Sequence, residues 1–89
     1  MAGKPVEINP AALAEFKSAL GWYFERSGAA ALKLVEELDR AIQMADHSTR
    51  KFVLRRFPFA IIYREKLTVI QILAIAHGHR RPGYWKERL

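Results

Sequence analysis

Residues 51–77, KFVLRRFPFAIIYREKLTVIQILAIAH, decide the fold. They are rich in β-branched and aromatic residues, and they are broken at Pro58 and at Glu65-Lys66. Lys51 to Phe57, Phe59 to Arg64 and Leu67 to His77 therefore read as three strands. The connections between them are short enough for antiparallel neighbours, a three-stranded meander. The near-continuous apolar run Val69-Ile70-Gln71-Ile72-Leu73-Ala74-Ile75-Ala76 places the third strand centrally.

Upstream the periodicity changes. Ala12, Leu13, Phe16, Leu20, Tyr23 and Phe24 recur at three- and four-residue spacings, with Glu15, Lys17 and Arg26 largely off that stripe and Trp22 beside it. Asn9 is a good helix N-cap, and Pro10 suits the first helical position, where its missing N–H costs nothing. This helix is predicted to reach about Ser27, with Gly28 as cap or corner. Ala31, Leu34, Val35, Leu38, Ala41, Ile42 and Ala45 make the stripe of a second helix, ending near Asp46. With so short a link, the two must fold back as an antiparallel hairpin. Before them, Pro5-Val6-Glu7-Ile8 is a short edge-like strand ended by Asn9-Pro10. The order βααβββ predicts one α+β domain over 1–89, with the helical hairpin packed on one face of the sheet.

A chain of 89 residues has room for one modest core. It contains no cysteine, which removes disulfides, thiolate metal sites and Cys nucleophiles. No signal peptide is visible, and the longest apolar stretch, Leu67 to Ala76, is about half of the ~20 residues a membrane span needs. A cytoplasmic protein is expected. Fifteen Lys and Arg against nine Asp and Glu give a net charge of +6, which favours anionic partners. The charge is uneven: residues 1–49 carry five basic and seven acidic groups, residues 50–89 ten and two.

Candidate chemistry gathers after the last strand, at His77, His79, Arg80, Arg81, Tyr84 and Trp85. A histidine beside arginines supplies an acid or base and cationic stabilisation, the needs of a metal-free ribonuclease; the alternative is a structural histidine. His77 and His79, two apart on an extended chain, point to opposite faces, so no shared metal site is expected. Arg55 and Arg56 likewise point to opposite faces of their strand, one joining Arg64 on the exposed side. They suit phosphates or a partner's carboxylates, or stay as solvated charges. Tyr84 and Trp85 stack on bases, anchor an interface, or fold back over the core. Trp22 is an exposed partner anchor or a flank of the core. No Gly-rich phosphate loop, Ser nucleophile signature or paired-carboxylate motif is present, and no cofactor is expected.

The element order, with Arg55-Arg56-Phe57-Pro58-Phe59-Ala60-Ile61-Ile62-Tyr63-Arg64 and Ala76-His77-Gly78-His79-Arg80-Arg81-Pro82-Gly83-Tyr84-Trp85, resembles the RelE/ParE superfamily of bacterial toxins. Asn9-Pro10-Ala11-Ala12 and Trp22-Tyr23 are similar to it too, so the likeness covers nearly the whole chain. It implies a type II toxin neutralised, in a hetero-oligomer, by a cognate acidic, ParD-like antitoxin. Two branches follow from it. A RelE-like toxin cleaves messenger RNA on the ribosome, and Lys51, His77, Arg80 and Tyr84 would be its residues here. Ala60 and Val53, however, stand where that branch wants an arginine and a lysine. A ParE-like toxin blocks DNA gyrase by binding, and the resemblance favours this branch. Its antitoxin- or target-binding residues would be Trp22, Arg55, Arg56, Arg64, His79, Arg80, Arg81 and Trp85. A nontoxic nucleic-acid-binding module held by the basic tail is the remaining reading. The link Asp46 to Arg50 is shorter than the superfamily's usual loop.

Overall fold

The computed structural model describes residues 5–44 and 51–89; the short 46–50 link and Ala45 lie outside the described residues. Strand β1 (Val6–Ile8) leads into helices α1 (Pro10–Arg26) and α2 (Gly28–Met44), then strands β2 (Lys51–Val53), β3 (Phe59–Glu65) and β4 (Ile70–His77), and a 3-10 helix at Tyr84–Arg88. One mixed sheet has the order β1-β4-β3-β2, so β4 is interior as its apolar run predicts. The meander is antiparallel, and β1 pairs parallel with β4 through Val6–Ile70 and Ile8–Ile72.

Local chemistry sets the helix ends. The Asn9 side chain accepts a hydrogen bond from the Ala11 amide at 2.8 Å, and Pro10 opens α1. Ser27 alone joins the helices: its amide donates to Tyr23 O at 2.7 Å, and its hydroxyl accepts from the Ala30 amide at 3.2 Å. Because that hydroxyl starts α2, Gly28 is not needed as a corner and becomes the first residue of the helix.

Ala12 and Ala19 of α1 and Leu34, Leu38 and Ala41 of α2 bury against Ile61, Tyr63, Ile70, Ile72 and Ile75. Three members of the expected stripes are not core: Leu13, Val35 and Phe24 are exposed, Phe24 at 70%. The two alanines let α1 sit close to the sheet on the face that carries Tyr23, and Phe24, one residue or ~100° further round, turns away.

Two strands of the meander are shorter than predicted, and β1 starts one residue later, at Val6. β2 stops at Val53 because, with Val53 opposite Ala60 and the Leu54 amide donating to Phe59 O at 2.9 Å, residues 55–58 form the turn, where the Arg55 and Arg56 amides donate instead to Glu37 Oε1 of α2 at 3.1 and 3.4 Å. β4 starts at Ile70, after a turn in which Lys66 N donates to Val69 O at 2.8 Å. The pairs Tyr63–Ile72 and Ile62–Ala74 leave Leu73 as the extra residue of a β-bulge. The bulge resets the alternation: Ile70, Ile72 and Ile75 all join the helix-side core, while Leu73 and Ala74 join Ala60, Ile62 and Tyr84 on the opposite face. That second cluster is the aromatic tail folded back, with Trp85 packed beside Tyr84. No helix among the described residues is long and apolar enough to cross a membrane.

Candidate functional site

β4 outruns its neighbour. β1 pairs with it only as far as Ile72, where the Asn9 amide makes a last bond to Ile72 O at 2.9 Å. Beyond that point side chains serve the open edge. Glu15 of α1 accepts from the Ile75 amide at 3.0 Å, and Arg88 Nη1 donates to Leu73 O at 3.0 Å. The same carboxylate takes both Arg88 nitrogens at 3.0 Å and the Tyr84 hydroxyl at 2.8 Å. One acid thus ties α1, β4 and the C-terminal 3-10 helix together. Partial burial pushes the Glu15 carboxyl up, but the bonds from Arg88, Tyr84 and Ile75 outweigh it and hold the group below its usual range. Burial, then the bond to Glu15 and its charge, push the Tyr84 hydroxyl up to about 12. The bond to Glu15 raises Arg88 further, so the guanidinium stays charged.

Two clefts meet at the end of β4. The helix-side cleft, about 630 Å³, has small residues of α1 (Ala14, Ser18, Ala19) as one wall and Trp22, Tyr23 and Phe59 as aromatic walls. The other, about 680 Å³, lies on the opposite face of the sheet over an apolar floor of Ala60, Ile62 and Ala76. Lys51, Arg81 and Lys86 stand around it with Trp85. Gly83, at φ 76°, takes the left-handed turn that starts the 3-10 helix and brings Tyr84 and Trp85 against this floor. His77, Arg80 and Tyr84 line both clefts. The Arg80 guanidinium lies 3.9 Å over the Tyr84 ring, with its side chain 53% exposed.

The structure therefore brings Lys51, His77, Arg80, Tyr84, Arg81 and Trp85 into one neighbourhood. Trp22 is on the helix-side cleft, 51% exposed, with Arg26 stacked 3.7 Å from its ring centre. His79 differs from the extended-chain reading: its ring stacks on His77 at 5.0 Å, and its amide donates to His77 Nδ1 at 3.1 Å. The cause is a turn, since the chain leaves β4 at Gly78, whose amide donates to Pro58 O at 2.8 Å. Even so, no metal-binding group of three residues occurs among the described residues.

Arg55 and Arg56 are not on opposite faces of a strand; both sit in the bend after β2, beside α2. Arg64 lies away from both clefts, where its Nε donates to Gln71 at 3.0 Å and Gln71 donates to Glu7 at 2.9 Å, a polar ladder across β3, β4 and β1. Glu15 and Arg88 are absent from the residues expected to matter. The signal for Glu15 was its spacing, three after Ala12 and four before Ala19, which puts a carboxylate on the buried face of α1. Arg88, in the aperiodic tail, carried no such signal.

A family model described as ParE toxin of type II toxin-antitoxin system, parDE, matches residues 6–82. The chain belongs to the ParE toxin family. It is the toxin component of a type II toxin–antitoxin system, and an antitoxin is its partner. A solved structure titled "Chromosomal ParDE TA system from P. aeruginosa" is similar to it, with 26% identity, a TM-score of 0.64, and coverage of 83% of this chain and 95% of that one. No curated protein matches the chain. The family match embraces β1 to β4, Arg80 and Arg81, whereas Tyr84, Trp85 and Arg88 follow it.

Proposed function

We propose that this ParE-family toxin arrests DNA gyrase in the cytoplasm by binding it, using the clefts at the end of β4. The observation that supports this reading is the apolar floor of the cleft on the open face. Val53 and Ala60, which stand where a RelE-like nuclease would carry a lysine and an arginine, line this cleft, so it lacks two cations that would stabilise the charge of a phosphoryl transfer. Its one tyrosine is engaged by Glu15 and is pushed up to about 12, out of reach of acid–base work near neutrality. Apolar floors rimmed by cations suit a protein interface, with tryptophans as anchors.

Purified gyrase titrated with the toxin should lose supercoiling activity, and Arg80→Ala together with Arg81→Ala should weaken that loss about tenfold or more. Full supercoiling at large excess of folded toxin would remove the gyrase reading.

The antitoxin is proposed to cover the same surface, with apolar side chains at Trp22 and Trp85 and carboxylates at His79, Arg80 and Arg81. Trp22→Ala should then weaken antitoxin binding by about 2 kcal/mol in calorimetry; unchanged affinity would take Trp22 out of the interface.

One observation favours a second reading. Lys51, His77, Arg80 and Tyr84 do line one cleft, as a ribosome-dependent endoribonuclease would need. That reading requires cleaved message in a translating extract, abolished by Arg80→Ala. Intact message at inhibitory doses excludes it.

A further inference from the structure

Away from both clefts, α2 and the bend after β2 enclose a hollow of about 260 Å³ lined, among the described residues, by Lys33, Glu36, Glu37, Arg40, Arg55 and Arg56. Every described lining residue is charged. Glu37 Oε1 is engaged by the amides of Arg55 and Arg56, which fixes two consecutive arginines against the helix. Lys33 and Glu37, and Glu36 and Arg40, stand four apart on α2, where ion pairs ordinarily form, yet neither pair closes. Four exposed cations therefore face one hollow with no ion-pair partner among the described residues. Two of them come from the acidic half of the chain and two from the basic half, an arrangement the linear charge split conceals.

We propose that this hollow binds the sugar–phosphate backbone of nucleic acid. A peptide that folds on binding needs apolar anchors, and the described lining of the hollow offers none. A polyelectrolyte binds through charge alone, by releasing its condensed counterions, and arginine's forked donors match phosphate oxygens. Glu36 and Glu37 oppose the ligand, so the site is weak and salt-sensitive and has no base-reading element. It extends the gyrase reading, because gyrase works on DNA, and adds a direct toxin–DNA contact to the proposed toxin–gyrase contact.

The test uses the intact toxin freed of antitoxin, without gyrase, and a labelled 20-base-pair duplex followed by fluorescence anisotropy across about 50–200 mM salt. A single-stranded RNA of equal length forms the second arm. Four phosphate contacts predict affinity falling roughly 150-fold over that range, a log–log slope near −3.6. Arg55→Ala with Arg56→Ala keeps the amide bonds to Glu37 and should make the slope shallower by about 1.8, so the fall shrinks to roughly 12-fold. Lys33→Gln with Arg40→Gln approaches the hollow from α2 and should do the same, which keeps the test valid if the first variant misfolds. Lys17→Glu on α1 makes the same change in net charge outside the hollow, and should leave the slope within about half a unit of the original.

Equal slopes for all three variants, or binding too weak to detect at the lowest salt, would overturn the proposal. Binding to the duplex, with or without RNA, supports the toxin–DNA contact, and binding to RNA alone overturns it. Because no gyrase is present, loss of DNA binding and loss of gyrase inhibition are read separately.

Discussion

Replacing Glu15 by alanine tests the architecture at its most connected point. Glu15 accepts four hydrogen bonds, from Ile75 N, Tyr84 Oη and both terminal nitrogens of Arg88, and its side chain is only 17% exposed. Its loss strands the amide of Ile75, a residue 4% exposed, which costs ~1–3 kcal/mol as an unsatisfied buried donor. It also leaves Arg88, 18% exposed, without its bidentate partner, and charge-assisted bonds contribute ~1.5–3 kcal/mol. These contributions overlap, and some water enters the helix-side cleft to replace them. A net loss of about 3 kcal/mol is expected. That is a large share of the ~4–13 kcal/mol available to a domain of this size, and it lowers the melting temperature by roughly 12–24 °C.

Thermal and urea unfolding of the wild type, Glu15→Ala, Arg88→Ala and the double variant would measure it, with a coupling energy above ~1 kcal/mol between the two sites. The effect also has a pH signature. The folded-state pKa of Glu15 is depressed, so its contribution is complete above the ordinary glutamate range and is lost as pH falls through and below it. Glu15→Gln should lose that acid-side slope while keeping an acceptor for the Ile75 amide. A melting temperature for Glu15→Ala within about 3 °C of wild type, or strictly additive variants, would refute the edge-clamp argument.

Other consequences are checked more briefly. Tyr84 has its pKa raised from 10.0 to about 12, so its share of stability is intact below 10 and lost as pH rises toward 12. Ultraviolet phenolate titration should show a late step near pH 12 that Tyr84→Phe removes. The Tyr63 hydroxyl is buried without a partner among the described residues, so Tyr63→Phe should be neutral or stabilising by up to ~1 kcal/mol in urea unfolding, where an ordinary buried tyrosine would lose about that much. Leu73→Gly keeps the bulge but removes a side chain 1% exposed from the second cluster, and should cost ~3–4 kcal/mol while loosening Trp85, read as a red shift in its fluorescence.

The fold was legible because local and global preferences agree. Asn9-Pro10 starts α1, β4 is central because its run is apolar but for Gln71 and the terminal His77, and Ser27 closes the hairpin. Where the sequence misleads, a long-range contact overrides a local pattern. Arg55 and Arg56 look like strand residues until Glu37, eighteen and nineteen positions earlier, takes their amides. His77 and His79 alternate on paper, but the turn at Gly78 stacks them. The Leu73 bulge is hidden because one more apolar residue in an apolar run changes no pattern, although it reverses which side chains face the helices. The candidate site was legible in its members after β4 and not in the acid that positions them. Glu15 lies sixty residues before Ile75 and sixty-nine before Tyr84, and only the parallel pairing of β1, by stopping at Ile8, creates the vacancy that a carboxylate fills.

That vacancy also fixes how the two clefts relate. A β1 two residues longer would satisfy Ile75 with backbone, and the 3-10 helix would lose its reason to reach across the edge of β4. As built, Arg88 and Tyr84 wrap that edge, and Arg80, stacked on Tyr84, stands on the ridge with both clefts open to its guanidinium. That guanidinium also lies 3.9 Å from Glu15 Oε2, so the carboxylate that ties the edge of β4 together also pairs with the cation lining both clefts. Glu15, by holding Tyr84 under Arg80 and by pairing with the guanidinium itself, sets the position of the cation that the two clefts share.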